Sequence, residues 1–184
     1  MIDITKLSTR YMVRKLEESD VDEIISICMG NPQFYLYTEA RPTQEGILSD
    51  MKATPPGIDL SDKYYIGFFE AGETAEIGEK AEKVEKVEKV EMAAVMDLID
   101  GYPEIDIAFI GFFMMNMKYQ GRQIGTSIIT EIADYLKKIG FHKIRLAIDK
   151  DNPQSRHFWK KNGFLAIKEA EANGGIVLVA EKSL

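Results

Sequence analysis

The positions of apolar residues predict a strand followed by two helices in the N-terminal part of the chain. Residues 11–16 (YMVRKL) alternate as a strand does, because successive side chains of a strand point to opposite faces. A helix is predicted behind Asp20, with Glu23 three residues further on as a capping signal. One face of this helix carries Val21, Ile24, Ile25 and Cys28. A second, weaker helix follows Thr43 and ends at the breaker ATPPG.

The middle of the chain is rich in aromatic and β-branched residues, which favour strands. It predicts three strands, KYYIGFFE (63–70), MAAVMDLID (92–100) and IDIAFIGFFMM (105–115). A long helix follows over 124–139, where isoleucine and leucine recur every three or four residues and Gly140 supplies the stop.

The C-terminal part predicts a strand over 143–149, a short helix that starts at Pro153, and two closing strands near 164–168 and 176–181. The resulting order is β-α-α-β-β-β-α-β-α-β-β. It predicts one α+β domain over residues 1–184, without an interior boundary.

A charged segment lies between the second and third predicted strands. It contains four consecutive Lys-x-Glu triplets from Lys80 to Glu91. A period of three matches neither a helical stripe nor a strand face. We interpret 71–91 as a solvated hairpin extension, with a partner-binding arm as the alternative.

Composition excludes several classes of function. Lys and Arg number 23 against 30 Asp and Glu, a formal net charge of −7, so the chain lacks the basic surface that nucleic-acid phosphates require. A single cysteine, Cys28, excludes an internal disulfide, a CxxC redox pair and a Cys-rich zinc site. With His142 and His157 as the two histidines, we expect no metal site.

Nothing in the sequence indicates export or a membrane. Residues 1–16 contain no apolar core of a signal peptide. No stretch approaches the roughly 18 uninterrupted apolar residues of a membrane-spanning helix. We therefore expect a cytoplasmic protein.

The segment MMNMKYQGRQIGTSII (114–129) is the one most suggestive of chemistry. A strand ends, a loop carries Gly121 and Gly125, and a helix begins. Backbone N–H groups at a helix start lack partners within the helix, and glycines let an anion approach them. Lys118 and Arg122 add positive charge. An ordinary strand-to-helix turn is the alternative. Neither a Walker motif nor the Rossmann glycine fingerprint is present.

This loop resembles the acetyl-CoA-binding motif of the GNAT superfamily of N-acetyltransferases, Gln/Arg-x-x-Gly-x-Gly/Ala. Gln120 and Gly125 match its first and last positions, while Gln123 stands where the middle glycine is usual.

A second segment, NPQSRHFWKKNGF (152–164), is similar to the later motif of the same family, Asn-x-x-Ala-x-x-x-Tyr-x-x-x-Gly-Phe. Asn152, Gly163 and Phe164 match it, whereas Ser155 replaces alanine and Trp159 replaces tyrosine. Together, in this order and with a strand between them, the two motifs identify the chain as a GNAT member.

The resemblance implies a fold, a cosubstrate and its binding residues. The fold would be a central mixed, mostly antiparallel sheet of about seven strands with four flanking helices. Acetyl-CoA would be the cosubstrate: the end of the fourth strand would diverge from its neighbour and pair with the pantetheine arm, and the glycine loop would hold the pyrophosphate. The residues so implied are Phe113, Met114, Met115, Gln120, Gly121, Arg122, Gln123, Ile124, Gly125, Thr126, Asn152 and Phe158.

The catalytic groups stay open at this stage. Family members often protonate the leaving thiolate with the tyrosine whose place Trp159 takes, and an indole N–H cannot release a proton at useful pH. The thiolate would leave unassisted, take a proton from water, or use another tyrosine such as Tyr102 or Tyr135. Phe109 stands where histone-type relatives carry a glutamate. Four acids near one turn could deprotonate or attract a cationic amine, and the alternative is that they are solvent-facing charges of the strand and turn: Asp97, Asp100, Glu104 and Asp106.

We expect an N-acetyltransferase whose acceptor is a primary amine of a small molecule. Acetylation of a protein N-terminus or lysine is a related alternative, and a non-catalytic acyl-CoA-binding or sensing domain is an alternative from another class. Because family members are frequently dimers, the resemblance also leaves a homodimer as one option.

Overall fold

Among the residues that the structure describes, seven strands and four α-helices follow one another in the order that the apolar pattern predicts. The computed structural model describes residues 1–38, 41–70, 90–172 and 174–184. Its strands are β1 (Tyr11–Lys15), β2 (Lys63–Glu70), β3 (Met92–Ile99), β4 (Ile107–Met115), β5 (Lys143–Asp149), β6 (Leu165–Ala172) and β7 (Gly175–Ser183). Its α-helices are α1 (Val21–Met29), α2 (Gln44–Asp50), α3 (Ile124–Lys138) and α4 (Pro153–Lys161).

All seven strands belong to one sheet, in the order β1-β2-β3-β4-β5-β7-β6. Neighbouring strands are antiparallel except β4 and β5, which are parallel and joined through α3. A parallel connection needs such a crossover, and a helix normally supplies it. The mixed, mostly antiparallel sheet with four helices is therefore confirmed.

Each face of the sheet packs against two helices. Ile66 and Phe68 of β2 join a core that also contains residues of α3 and α4, such as Ile132. Tyr65 and Phe69, which alternate with them, join a second core against α1 and α2. The buried side chains of β2 thus point alternately into two cores, and the sheet lies between two layers of helices.

The predicted charged extension falls largely outside the described residues, which exclude 71–89. The two strands that flank it, β2 and β3, pair as antiparallel neighbours. Within the described ranges, no helix has the length and apolar content needed to span a bilayer.

Asp20 does not cap α1 in the way its spacing to Glu23 predicts. Its carboxylate accepts two hydrogen bonds from Arg14, at 2.7 and 2.8 Å, and one from the Glu17 N–H. Glu23 accepts instead from the Met92 N–H on β3. A carboxylate binds a guanidinium at two points more strongly than it binds one backbone amide, so Asp20 ties β1 to the start of α1.

We expect Asp20→Asn to destabilise the protein by about 1–2 kcal/mol at pH 7, because it weakens a charge-assisted pair that is partly exposed. Arg14 holds the pKa of Asp20 below its usual value of 3.8, so this stability is present above that value and is lost as the pH falls through the lower pKa of the folded state. Urea denaturation at a series of pH values measures the effect. A difference between wild type and variant that stays constant down to pH 2 would contradict the assignment.

Candidate active site

Strands β4 and β5 separate part-way along their length. Their pairing ends at Ile110 and Leu146, whereas β4 continues to Met115. At the same point the register between β3 and β4 shifts, because Asp97 pairs with Phe112 and Leu98 with Ile110. Gly111 is the extra residue of this β-bulge. Bulges bend a strand and re-aim its side chains, so β4 diverges from β5 where the bulge occurs.

The loop after β4 places the start of α3 beside this gap. Gly121 and Gln123 both have a left-handed backbone, with φ of 73° and 63°. For Gln123, the residue that departs from the motif, this conformation costs about 1–2 kcal/mol. Gln123 is also the N-cap of α3, and no side chain caps the helix there. The first N–H groups of a 15-residue helix thus lack a capping partner, which suits an anion.

A cavity of about 340 Å³ opens between β4, this loop and α4. Every residue that the resemblance assigns to acetyl-CoA borders it except Arg122, whose side chain lies exposed outside the lining. Lys118, the other cation of the loop, forms an ion pair with Glu91 at 2.5 Å.

The side chain of Gln120 reaches back to β4 and is not free to bind a ligand. Its amide donates to Asn31 Oδ1 and to the Met115 carbonyl. Asn31 Nδ2 donates to the same carbonyl at 3.0 Å. The Met115 carbonyl, one of the backbone groups expected to pair with pantetheine, therefore already accepts two hydrogen bonds, and Gln120 and Asn31 fix the end of β4.

Asn152 and Phe158 border the cavity from α4. Asn152 is 2% exposed, and its Oδ1 accepts from the Ser155 N–H as the N-cap of α4. The Phe158 ring stacks on Phe113, with centroids 5.9 Å apart. Phe158 therefore both lines the cavity and packs on the core.

Trp159 lies where this cavity meets a second one. It is 8% exposed and borders both. Its ring contacts Phe158 and Phe164 edge-on, with centroids 5.0 Å away in each case, and Phe113 at 5.9 Å. Three aromatic neighbours hold the indole in one orientation.

The second cavity, of about 740 Å³, lies mainly on the face that α1 and α2 cover. Tyr65, Asp97 and Phe112, which are neighbours across β2, β3 and β4, form part of its wall. Tyr35 and Asp50 contribute from the helical side. The two cavities share Phe34, Phe113, Ser155 and Trp159.

A buried ion pair borders this second cavity. Lys63 Nζ lies 2.7 Å from both carboxylate oxygens of Asp97, and the two side chains are 2% and 14% exposed. Burial raises the pKa of Asp97, and the charge of Lys63 opposes that rise. A Cβ at Gly111 would approach Asp97 Oδ2 to 2.6 Å, so the glycine of the bulge leaves room for this carboxylate.

Two further carboxylates border the same cavity, and neither has a hydrogen-bond or ion-pair partner among the described residues. Asp50 is the last residue of α2, and Asp149 is the last of β5. Loss of hydration raises the pKa of both. Arg41 and Lys63 are the cations on the lining, and Lys63 is already paired with Asp97. The cavity therefore has an excess of negative charge.

Most of the catalytic candidates named from the sequence do not border the two cavities. Tyr102 packs on Phe109, and Tyr135 accepts a hydrogen bond from the Asp3 N–H. Neither borders either of the two cavities, so both lie outside the candidate site.

Three of the four candidate bases also lie outside the linings of the two cavities. Asp100 pairs with the N-terminal amine, Asp106 with His142, and Glu104 lies exposed in the turn. They are close to Asp97 in sequence, but of the four only Asp97 projects from a strand into the second cavity.

Residues 58–164 match the sequence profile described as the acetyltransferase (GNAT) family. The chain belongs to the GNAT acetyltransferase family. Membership implies acyl transfer, and acetyl-CoA is the cosubstrate of this family. No curated protein matches the chain in sequence.

Solved structures of GNAT proteins share the fold. An acetyltransferase from Thermus thermophilus superposes with a TM-score of 0.66 at 17% identity, over 95% of this chain and 97% of that one. A chimera of the spermidine N-acetyltransferase SpeG from Vibrio cholerae gives 0.63 at 16% identity, over 95% and 96%. The PaiA N-acetyltransferase from Thermoplasma acidophilum, solved with coenzyme A, gives 0.59 at 16% identity, over 96% and 100%.

Several residues that border the first cavity are not among the positions that define the two family motifs. Asn31, Phe34 and Tyr119 border the cosubstrate cavity, as do Gln154, His157 and Lys161. His157 and Lys161 were identifiable only as exposed positions of a short helix. In the sequence, Asn31 marks only the end of α1. Its hydrogen bond to the Met115 carbonyl at the end of β4 is apparent only in the folded structure.

Proposed function

We propose that this GNAT protein transfers the acetyl group of acetyl-CoA to a primary amine of a small, cationic molecule. The observation that carries the proposal is the meeting of two cavities where β4 leaves β5. One cavity has the uncapped start of α3, and the other has unpaired carboxylates. Four residues border both, which places the two cavities next to each other.

The residues of the first cavity fit the cosubstrate. The start of α3 would receive the pyrophosphate, and β4 beyond Ile110, no longer paired with β5, offers backbone groups to the pantetheine amides in the manner of an added strand. When bound, acetyl-CoA supplies the activated acyl group. The chain itself provides orientation and excludes water around Phe113 and Trp159.

The second cavity suits a cationic amine. The carboxylates of Asp50 and Asp149, which have no hydrogen-bond or ion-pair partner among the described residues, would attract a cation and hold it in position. A volume of about 740 Å³ is within the range of small-molecule sites. SpeG, a structural neighbour, is by name a spermidine N-acetyltransferase, which agrees with a small cationic acceptor.

Steady-state release of coenzyme A thiol, measured with a panel of amines, tests the proposal. The panel includes polyamines, amino acids, simple alkylamines and peptides with a free N-terminus or lysine. We expect turnover with small cationic amines. Turnover with peptides alone would instead establish a protein acetyltransferase, and tight acetyl-CoA binding without turnover on any amine would establish a sensing domain.

We expect Asp50→Asn to raise KM for a cationic acceptor about tenfold, equivalent to roughly 1.4 kcal/mol, with kcat little changed. The reason is that Asp50 attracts the acceptor but is not one of the four residues that border both cavities. Asp22→Asn is the matched control, because it removes the same charge from an exposed position of α1 outside the cavity lining. Equal KM values for the two variants would rule out this role.

A further inference from the structure

The indole N–H of Trp159 has no hydrogen-bond partner among the residues that the structure describes. The described part also contains no fully enclosed side-chain N or O atom that lacks a partner. Nε1 therefore touches accessible space, although the side chain as a whole is 92% buried, at 8% exposure. Trp159 borders both cavities.

An unpartnered donor in a mostly apolar position has a cost, because burial removes part of its hydration and no protein group replaces it. The ring packs on Phe113, Phe158 and Phe164, and these contacts involve only its apolar surface. A phenylalanine would satisfy these contacts. Packing alone thus does not account for the N–H, whereas a ligand atom at the junction of the cavities would.

We propose that Trp159 is a catalytic hydrogen-bond donor, whose Nε1–H binds the thioester sulfur of acetyl-CoA and stabilises the thiolate as it leaves. This inference rests on the proposed function. Backbone N–H groups of β4 beyond its last pair with β5 are available to the thioester carbonyl oxygen, and Trp159, on α4, approaches the junction from a different element.

The step is balanced without proton transfer from the protein. The neutral amine nitrogen forms a bond to the acyl carbon, the C–S bond breaks, and its electron pair remains on sulfur. The indole keeps its proton and donates a hydrogen bond to the negative sulfur. The proton lost by the amine goes to water, and the thiolate takes a proton from water after it leaves. Stabilisation of developing charge by a fixed donor is worth about 10²–10³-fold in kcat for one group.

Trp159→Phe removes the donor and keeps an aromatic ring. We expect kcat to fall about 100-fold, with acetyl-CoA affinity by calorimetry within threefold of wild type. The shape of the pH profile should not change, because Trp159 transfers no proton. Trp159→Tyr should restore part of the rate and add an alkaline limb, because a phenol donates only below its pKa. Phe164→Leu is the packing control: it loosens the indole without removing the N–H.

A second readout does not need the acceptor. The bound thiol of coenzyme A, followed by its ultraviolet thiolate absorbance, should ionise at lower pH in wild type than in Trp159→Phe, since the N–H favours the thiolate. A thiol that ionises at the same pH in both proteins would overturn the inference, as would Trp159→Phe turnover within threefold of wild type. If the thiol readout differs but no amine is acetylated, the proposed function fails while the N–H···S contact stands.

Discussion

Gly125→Glu is expected to weaken acetyl-CoA binding by at least 100-fold while the protein stays folded. Gly125 is buried in the first turn of α3, where an added Cβ would lie 3.2 Å from Phe158 and 3.4 Å from Met115. A longer side chain must extend into the cosubstrate cavity. Its carboxylate would then occupy the space proposed for the pyrophosphate and repel it. Calorimetry with acetyl-CoA measures the loss.

The matched control for this variant is Thr130→Glu. Thr130 lies exposed on the same helix, about one turn further on, so it adds the same charge without entering the cavity. Thermal denaturation of both variants shows whether the fold is kept. A folded Gly125→Glu protein that binds acetyl-CoA as tightly as Thr130→Glu would locate the pyrophosphate elsewhere.

Lys63→Met is expected to lower the free energy of unfolding by about 3–5 kcal/mol, because it leaves the buried carboxylate of Asp97 without its counter-charge. Lys63 is 2% exposed at its side chain and Asp97 14%, so water replaces the lost partner only in part. Chemical denaturation at pH 7 measures the change. Since burial already raises the pKa of Asp97, the loss of Lys63 should raise it further, and the variant should recover stability as the pH is lowered toward that pKa.

The double variant Lys63→Met, Asp97→Leu separates charge from packing. Replacing both members of a buried ion pair by apolar residues is often close to neutral, so the double variant should regain most of the stability that Lys63→Met loses. If it is instead as unstable as the single variant, the contribution of Lys63 comes from its packing and the ion pair is incidental.

Most of the fold could be predicted because most elements carry a local signal. β2 and β5 match their predicted ranges, 63–70 and 143–149, since each presents aromatic or branched residues between clear breaks. β6 is longer than predicted. Its residues are mostly exposed and show no alternation, and pairing with β7 extends it to Ala172. A strand at the edge of a sheet, held chiefly by its neighbour's backbone, leaves little trace in the pattern of apolar residues.

The two halves of the candidate site differ in how far the sequence predicts them. The cosubstrate side is one continuous strand-loop-helix segment plus α4, so its motifs are local and readable. The proposed acceptor side joins Cys28, Asp50, Lys63 and Asp97 from four elements, and no sequence motif links them. For this side, nearness in sequence was misleading. It grouped Asp97 with three neighbouring acids that do not border the cavity in the folded structure.

The single residue inserted at Gly111 also determines which way the end of β4 faces. Ile110 packs in the α3–α4 core, and in a strand without the bulge Phe112, two residues further on, would face the same side. Instead Phe112 packs with α1 and α2, and Phe113 takes the α3–α4 side. A β4 that kept Gly111 but paired regularly through it, without the bulge, would exchange the surroundings of these two rings and of every side chain up to the end of the strand. The bulge thus lets a strand that begins in the core of the sheet end as a wall shared by two cavities.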